Sequence, residues 1–549
     1  MTTEKIANQL KLTAQLMELH DQNPFKIKSI ANAAYKLNKT DIVTEGLSID
    51  ELEKIEGIGK GIAAKINELQ TSGNLKELTE LLEITPSGVI EMLTIKGIGV
   101  KKINSLWREL QIESVGELLY ACNENRLVTL KGFGAKTQEQ IKQQIKFHES
   151  NRGKFHYATV EKFAIDLVNT LKIKYKTTFV SLTGDIRRKA EIIDKIGILI
   201  ATAAEINENE LENKWGIALE IIKCGETEFH AKLLETTGTN AHLLEIGKVQ
   251  QPVQSILQDI ISQIPALPSE EEIYKHYQLQ YIEPELREGI NEVVLASKHV
   301  IPELLKLSDL RGILHNHTTY SDGVNTLKEM AAYCKSLGYE YFGVCDHSQS
   351  AFYANGLKVE RVIQQHLEID ELNAQLFPFK IFKGIESDIL NDGSLDYPVD
   401  ILKTFDFIVA SVHSNLKMTV DKANARLIKA IENPYTTILG HPTGRLLLAR
   451  AGYPIDHKKI IDACAQNGVI IELNAHPYRL DIDWRWIHYC VEKGVKISIN
   501  PDAHEKQGFH DMEYGIHVAR KGMLTKSMCF NTLNFKEIEN YFCQRRGMA

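Results

Sequence analysis

Residues 311–323 read RGILHNHTTYSDG. A short apolar segment runs directly into His315-Asn-His317, and Asp322 follows in a loop of small and turn-forming residues. The same grammar recurs towards the C-terminus, with His347 in FGVCDHS, Glu386 in FKGIESD, His413 in VASVHS, His441 in LGHPTGR, and Asp502 with His504 in INPDAH. Imidazole and carboxylate together suit zinc, manganese or iron, and one such ion takes three or four protein ligands. Nine candidates therefore call for two or three metals in one basin. That arrangement stabilises both the attacking and the leaving oxygen in phosphoester cleavage.

Seven apolar strand cores carry these residues: GIL, YFGVC, KIFKGI, FDFIVASV, TTILG, GVIIELN and VKISI. Helical stretches such as NTLKEMAAYCKSLG and IDHKKIIDACAQNG separate them. Alternating strand and helix predicts a parallel sheet or barrel whose function lies at the strand C-terminal ends. We expect a distorted (βα)7 barrel over residues 305–549. His366, His457, His488, His510 and His517 fit no strand end and are expected to be ordinary surface or packing residues.

Upstream, residues 1–150 show apolar spacing of three to four and no convincing strand, which predicts an all-α region. A short pattern repeats there three times, as IEGIGKGIAAKI (55–66), IKGIGVKKINSL (95–106) and LKGFGAKTQEQI (130–141). Each copy is Gly-apolar-Gly followed by a helix start. Glycines permit the turn, and the exposed N–H groups of the new helix suit one phosphate. This helix-hairpin-helix pattern grips nucleic-acid backbone without reading sequence. Gly57, Gly59, Lys60, Lys65, Gly97, Gly99, Lys101, Gly132, Gly134 and Lys136 are the candidate DNA contacts. The bland alternative is a set of helix hairpins whose glycines only cap.

Between these regions the pattern is mixed. A helix (YATVEKFAIDLVNTLK) precedes three strands (TTFVSLTG, KIGILIATA and GIALEIIK), and acidic helical segments follow near SILQDIISQI and SEEEIYKHY. The chain of 549 residues carries a net charge of −8, so contact with nucleic acid must be local. No apolar run approaches the roughly 18 residues of a membrane span, and the N-terminus lacks the pattern of a secretory signal. Eight scattered cysteines without a CxxC pair read as reduced thiols, and a cytoplasmic protein is expected.

The motifs HNHTTYSDG, CDHS, GIESD, SVHS, GHPTGR, ELNAHPYRLDI and NPDAH resemble those of the polymerase and histidinol phosphatase (PHP) domain. The whole chain resembles a bacterial family X DNA polymerase carrying that domain. The resemblance implies a trinuclear site on His315, His317, Asp322, His347, Glu386, His413, His441, Asp502 and His504, and two or three divalent ions (Mn2+, Zn2+ or Fe2+) are the expected cofactors. It also implies Mn2+-stimulated 3′-to-5′ exonuclease activity, with apurinic endonuclease and 3′-phosphatase activities in some members. DNA 3′ ends, gaps or abasic sites are the expected partners, and a monomer the expected state. Asp322 and His347 are catalytic candidates, with Arg445 and Arg479 either clamping phosphate through their planar forks or pairing with acidic residues of the site. Lys358 is a weaker candidate on a loop. Lys65 matches the Schiff-base position of some relatives, although a helical lysine near phosphate more commonly serves as an electrostatic contact.

The same resemblance divides the chain into a helical lyase-like domain (1–85), a fingers-like helix-hairpin-helix domain (86–150), a palm (151–240), a thumb-like segment and linker (241–304), and the PHP domain (305–549). The palm is nucleotidyltransferase-like, of α+β type, but its centre is altered. Family members carry GSYRRG…E…GDxD, whose aspartates hold Mg2+. Here TGDIRRKAEIIDKIGILI puts Lys195 and Gly197 at the two aspartate positions, with Glu220 at the third. An ammonium repels Mg2+ and glycine offers no ligand. Asp194 lies one residue away and so points to the opposite face of the strand. The expectation is a nuclease on a disabled polymerase core. A small-molecule phosphatase, a residual polymerase and a non-catalytic DNA-binding scaffold are the alternatives.

Overall fold

The structure, a computed structural model, describes residues 1–39, 42–123, 126–207, 211, 213, 216–249 and 269–547. The helix expected near SILQDIISQI falls outside these residues. The chain divides into two compact units, Met1–Arg152 and Gly153–Ala549. Among the described residues, no helix is long and apolar enough to cross a membrane, and all eight cysteines are free thiols.

The first unit is helical throughout its described residues. One hydrophobic core runs through it from Ile6 to Ile145. Each repeated motif forms the turn its glycines predict. Gly57, Gly97 and Gly132 adopt φ of +86°, +91° and +87°, the left-handed region. The following apolar residues, Ile58, Ile98 and Phe133, are buried. Helices then start at Lys60, Val100 and Ala135.

The second unit opens with a small mixed region. Strands β1 (Phe155–His156) and β3 (Ile192–Ile193) pair as an antiparallel ribbon. Beside it, β2 (Val180–Thr183), β4 (Lys195–Ala201) and β5 (Ala218–Cys224) form a sheet in the order β2-β4-β5. The helix Tyr157–Tyr175 packs its apolar face on this sheet.

Seven strands then form one wholly parallel sheet in chain order: β6 (Gly312–Ile313), β7 (Tyr341–Val344), β8 (Lys380–Asp388), β9 (Phe407–Ser411), β10 (Ile438–Leu439), β11 (Ile470–Asn474) and β12 (Ile497–Asn500). A parallel bridge between Asn316 and Ala503, with His317 N donating to Ala503 O at 2.8 Å, joins the two outer strands and closes the barrel. These seven strands are the ones the sequence predicts.

Strand alternation sorts the side chains into two cores. Phe342, Ile381, Ile408, Leu439 and Ile471 pack in the cluster shared with the surrounding helices. Their neighbours Tyr341, Phe382, Phe407, Ile438 and Ile470 form a second cluster with Phe542 of the terminal helix Phe535–Gly547. Phe407 and Phe542 stack with ring centroids 5.1 Å apart. Small residues make room for this plug, since a Cβ at Gly384 would lie 2.4 Å from Phe407. Phe542→Ala is expected to destabilise the second unit by about 3–5 kcal/mol, measured as a lowered urea midpoint. Continuing the same inward alternation along each strand leads to Glu386, His413, Glu472 and Asp502 at the opposite, C-terminal end.

Candidate metal centre

All nine expected ligands meet at that end. Their nitrogen and oxygen atoms form three overlapping groups: His317, Asp322, His347 and His504; His315, His317 and Asp502; and His347, Glu386 and His413. His441 joins through Nε2, 3.0 Å from Glu386 Oε1. Glu386 is the hub, with its other oxygen 2.9 Å from His347 Nδ1 and its first 3.1 Å from His413 Nε2. Asp502 Oδ1 lies 3.0 Å from His317 Nε2, and Asp322 Oδ1 lies 3.4 Å from His504 Nε2.

The donor set fits divalent cations. His315 Nε2 and His317 Nδ1 are buried without a hydrogen-bond partner, and His347 Nδ1 and Glu386 Oε2 face each other at 2.9 Å without forming a hydrogen bond. Buried polar atoms left this way cost free energy unless something satisfies them. Lone pairs converging from several imidazoles and carboxylates are what a positive ion satisfies, and the mixed N/O set matches zinc, manganese or iron. Electrostatics agree. Burial and then the neighbouring His504 and His347 lower His317 to about 3, so it stays a neutral donor. Burial opposes charge on His413, but Glu386 and Asp388 raise it to about 10. In the same way Asp322 and Asp502 outweigh burial and raise His504 to about 9. Metal and proton therefore compete for the same atoms.

Three positioning carboxylates escaped the sequence reading. Glu472 accepts from His315 Nδ1 at 2.7 Å and from the His441 backbone N–H at 2.8 Å, which fixes the His315 tautomer with Nε2 towards the cluster. Asp388 does the same for His413 Nδ1. Asp346 receives the backbone N–H groups of Thr318 and Ser321, both hydroxyls and Gln365, and so holds the HNHTTYS loop. The signal was present in part. Glu472 is a lone acid within the apolar strand Ile470–Asn474, and Asp388 stands two residues after Glu386 on the same face. Glu472→Gln is expected to weaken metal affinity by about 10- to 100-fold, read by competition with a chromogenic chelator.

The arginines separate. Arg479 Nε lies 3.7 Å from Asp502 Oδ2, beside the cluster. Arg445, expected either to clamp phosphate or to pair, does the second. It bonds Asp483 and the carbonyls of Arg479 and Leu480, so its donors are engaged away from the ligands and brace the loop carrying Arg479. Lys358 ends its loop, exposed and extended at the N-cap of the helix Val359–Leu376. Of the histidines set aside, His517 is buried beside Lys189, and burial and then that lysine lower it to about 3. His457 stacks on Trp486.

In the small sheet, Gly197 pairs with Thr183 on one side and Glu220 on the other. Lys195 and Glu220 share that face, and Lys195 Nζ lies 2.8 Å from Glu220 Oε2. That hydrogen bond raises the lysine's pKa. A Cβ at Gly197 would lie 2.9 Å from Thr183 Cγ2 and 3.0 Å from its carbonyl oxygen. Arg187 is taken up by Thr237 and Glu270, and Arg188 by Glu288, Asp185 and the Thr237 carbonyl. Asp194 is exposed in the bend between β3 and β4, so strand alternation does not fix its face.

In the helical unit, Lys60, Lys101 and Lys136 are exposed at the helix starts, and Gly59, Gly99 and Gly134 have open space where a Cβ would be. Lys65 is paired with Glu77, which also holds Lys26.

Comparison with known proteins assigns the helical unit and the barrel. Residues 1–75 match the helix-hairpin-helix domain, residues 89–146 the SAM-like helix-hairpin-helix tandem, and residues 314–476 the PHP domain. The DNA polymerase/3′-5′ exonuclease PolX of Bacillus subtilis (strain 168) is 33% identical, over 98% of this chain and 99% of its own. The chain belongs to the PolX family. This PolX chain couples helix-hairpin-helix modules to a PHP domain, a metal-dependent hydrolase type, whose His/Asp/Glu clusters could hold metal ions. The PHP part of this PolX chain is also similar to free-standing proteins. A probable phosphatase of Acetivibrio thermocellus is 27% identical over 35% of the chain and 78% of the relative. One from Thermoanaerobacter sp. (strain X514) is 26% identical over 42% and 94%.

Proposed function

We propose that this PolX-family chain is a metal-dependent 3′-to-5′ exonuclease on DNA, with the PHP basin as its working catalytic centre and no nucleotidyl transfer. The observation that carries the reading is the convergence of nine ligand-type side chains with unpartnered buried lone pairs, in a chain that also holds three helix-hairpin-helix turns. Two or three ions, of Mn2+, Zn2+ or Fe2+, would be held by His315, His317, Asp322, His347, Glu386, His413, His441, Asp502 and His504. Such ions supply an acidified water as nucleophile and neutralise the departing oxygen.

The chain's own residues do the rest. Glu386, His315 and His441 form the buried floor, which excludes bulk water. Asp322 and His504, with side chains 35% and 40% exposed, stand at the mouth where a phosphodiester enters. Arg479 sits beside Asp502 with a planar fork suited to the non-bridging oxygens. Gly57, Gly59, Lys60, Gly97, Gly99, Lys101, Gly132, Gly134 and Lys136 are proposed to hold the DNA backbone, and Lys65 to act as an electrostatic contact. The lyase-like, fingers-like, palm, thumb-like and PHP modules are assigned to 1–85, 86–150, 151–240, 241–304 and 305–549. Apurinic endonuclease and 3′-phosphatase action use the same basin.

The phosphatase relatives favour one competing reading, a small-molecule phosphatase. A comparison of kcat/KM for a single-stranded oligonucleotide and for histidinol phosphate, with Mn2+, decides between them. The nuclease reading predicts preference for the oligonucleotide by at least about 100-fold, roughly 2.7 kcal/mol of transition-state discrimination. Preference for the small ester would overturn it.

A further inference from the structure

The turn that follows His347 presents two adjacent aromatic side chains to solvent. Phe352 is 85% exposed and Tyr353 is 71% exposed. Single exposed aromatics are unremarkable, whereas an adjacent pair beside a catalytic basin calls for an occupant. The turn is held firmly. Its flanking residues Ala351 and Ala354 are buried, and the 3-10 helix Phe352–Ala354 ends in Asn355 at φ +54°. Leu357 N donates to His347 O at 2.8 Å, Gly356 N donates to Ala351 O, and a Cβ at Gly356 would lie 1.9 Å from Ser348 O. Ser350 donates its hydroxyl to Asp388, the carboxylate that also holds His413. Arg361 and Asn355 tie the far side to the HNHTTYS loop through the carbonyls of Tyr320 and Ser321.

This bracing fixes the aromatics relative to the basin. The Tyr353 ring centroid lies 6.1 Å from that of His347, with the planes inclined by 59°. A nucleotide whose phosphate reaches His347 and Asp322 carries its base within reach of these rings. Every base has a π-face, so aromatic stacking captures bases without choosing among them.

We propose that Phe352 and Tyr353 form a base-stacking platform that takes the unpaired 3′-terminal nucleobase and sets the scissile phosphate over the basin. The proposal rests on the exonuclease reading and adds the substrate form, a 3′ end whose last base is unpaired. A sugar phosphate without a base gains nothing from the platform. Stacking of one base contributes about five- to 100-fold in affinity.

The test uses the full chain as wild type, Phe352→Ala/Tyr353→Ala, and Phe352→Tyr/Tyr353→Phe, which retains both rings. Two readouts are taken. The first is kcat/KM with Mn2+ for a single-stranded oligonucleotide ending in a normal nucleotide, divided by that for one ending in a tetrahydrofuran abasic residue. The second is fluorescence of a 3′-terminal 2-aminopurine with Ca2+ in place of Mn2+. Wild type and the ring-retaining variant should show a ratio of about five or more and a quenched 2-aminopurine, while the alanine variant brings the ratio near one and abolishes the quench. An unchanged ratio, or equal quenching in wild type and alanine variant, overturns the platform. Quenching that depends on the rings, in a wild type that shortens neither oligonucleotide, upholds the platform and rejects the exonuclease reading instead.

Discussion

His315→Ala/His317→Ala is expected to abolish shortening of a 5′-labelled oligonucleotide, a loss of at least about 10^3-fold in kcat. His317 belongs to two of the three ligand groups and His315 to one, so the pair disturbs two of the three positions together. Both side chains are fully buried, and His315 is also the partner of Glu472. Loss of folding must therefore be separated from loss of chemistry. Far-ultraviolet circular dichroism with an unchanged melting profile in chelator isolates the second. Metal content should fall in parallel, from two or three ions per chain to fewer, by elemental analysis after dialysis. Full activity in a folded double variant would move the chemistry elsewhere in the chain.

Placing aspartates at the two positions proposed to have lost them, Lys195→Asp/Gly197→Asp, is expected not to create a DNA polymerase. Two new carboxylates would then stand on one face with Glu220, three in all, as metal-dependent nucleotidyl transfer requires. The space beside position 197 is already occupied. A side chain at 197 meets Thr183 Cγ2 at 2.9 Å and its backbone at 3.0 Å, and only the first can rotate away. Removing Lys195 also strips Glu220 of its ion-pair partner. Overpacking of this kind costs about 1–3 kcal/mol, so the variant should melt lower than wild type. The arginines that could meet a triphosphate are bonded to Glu270, Glu288, Asp185 and Thr237. Template-directed extension by the double variant would show that the two substitutions alone had silenced an otherwise intact centre.

The barrel and its ligands were legible because strand alternation and strand ends are local properties. In FDFIVASVHS, Phe407 and Val409 lie inward, and the same count places His413 over the mouth. The positioning carboxylates were harder to see, since nothing in ELN distinguishes an acid that orients His315 from one that pairs elsewhere. Arg445 was left open between two roles because its choice depends on Asp483 and on carbonyls that only the folded loop brings near. The proposed absence of carboxylates at Lys195 and Gly197 was readable from the motif. That Thr183 occupies the space beside Gly197 depends on the register between β2 and β4. The aromatic pair at 352–353 gave no periodic signal, and its meaning comes from the ring of His347 alongside it.

The central claim, a nuclease on a disabled polymerase core, is tested most directly by one gel. A 5′-labelled primer annealed to a longer template is incubated with wild-type protein, Mn2+ and all four dNTPs. The account predicts a ladder that descends from the primer and no band above it. Template-dependent bands longer than the primer would contradict it.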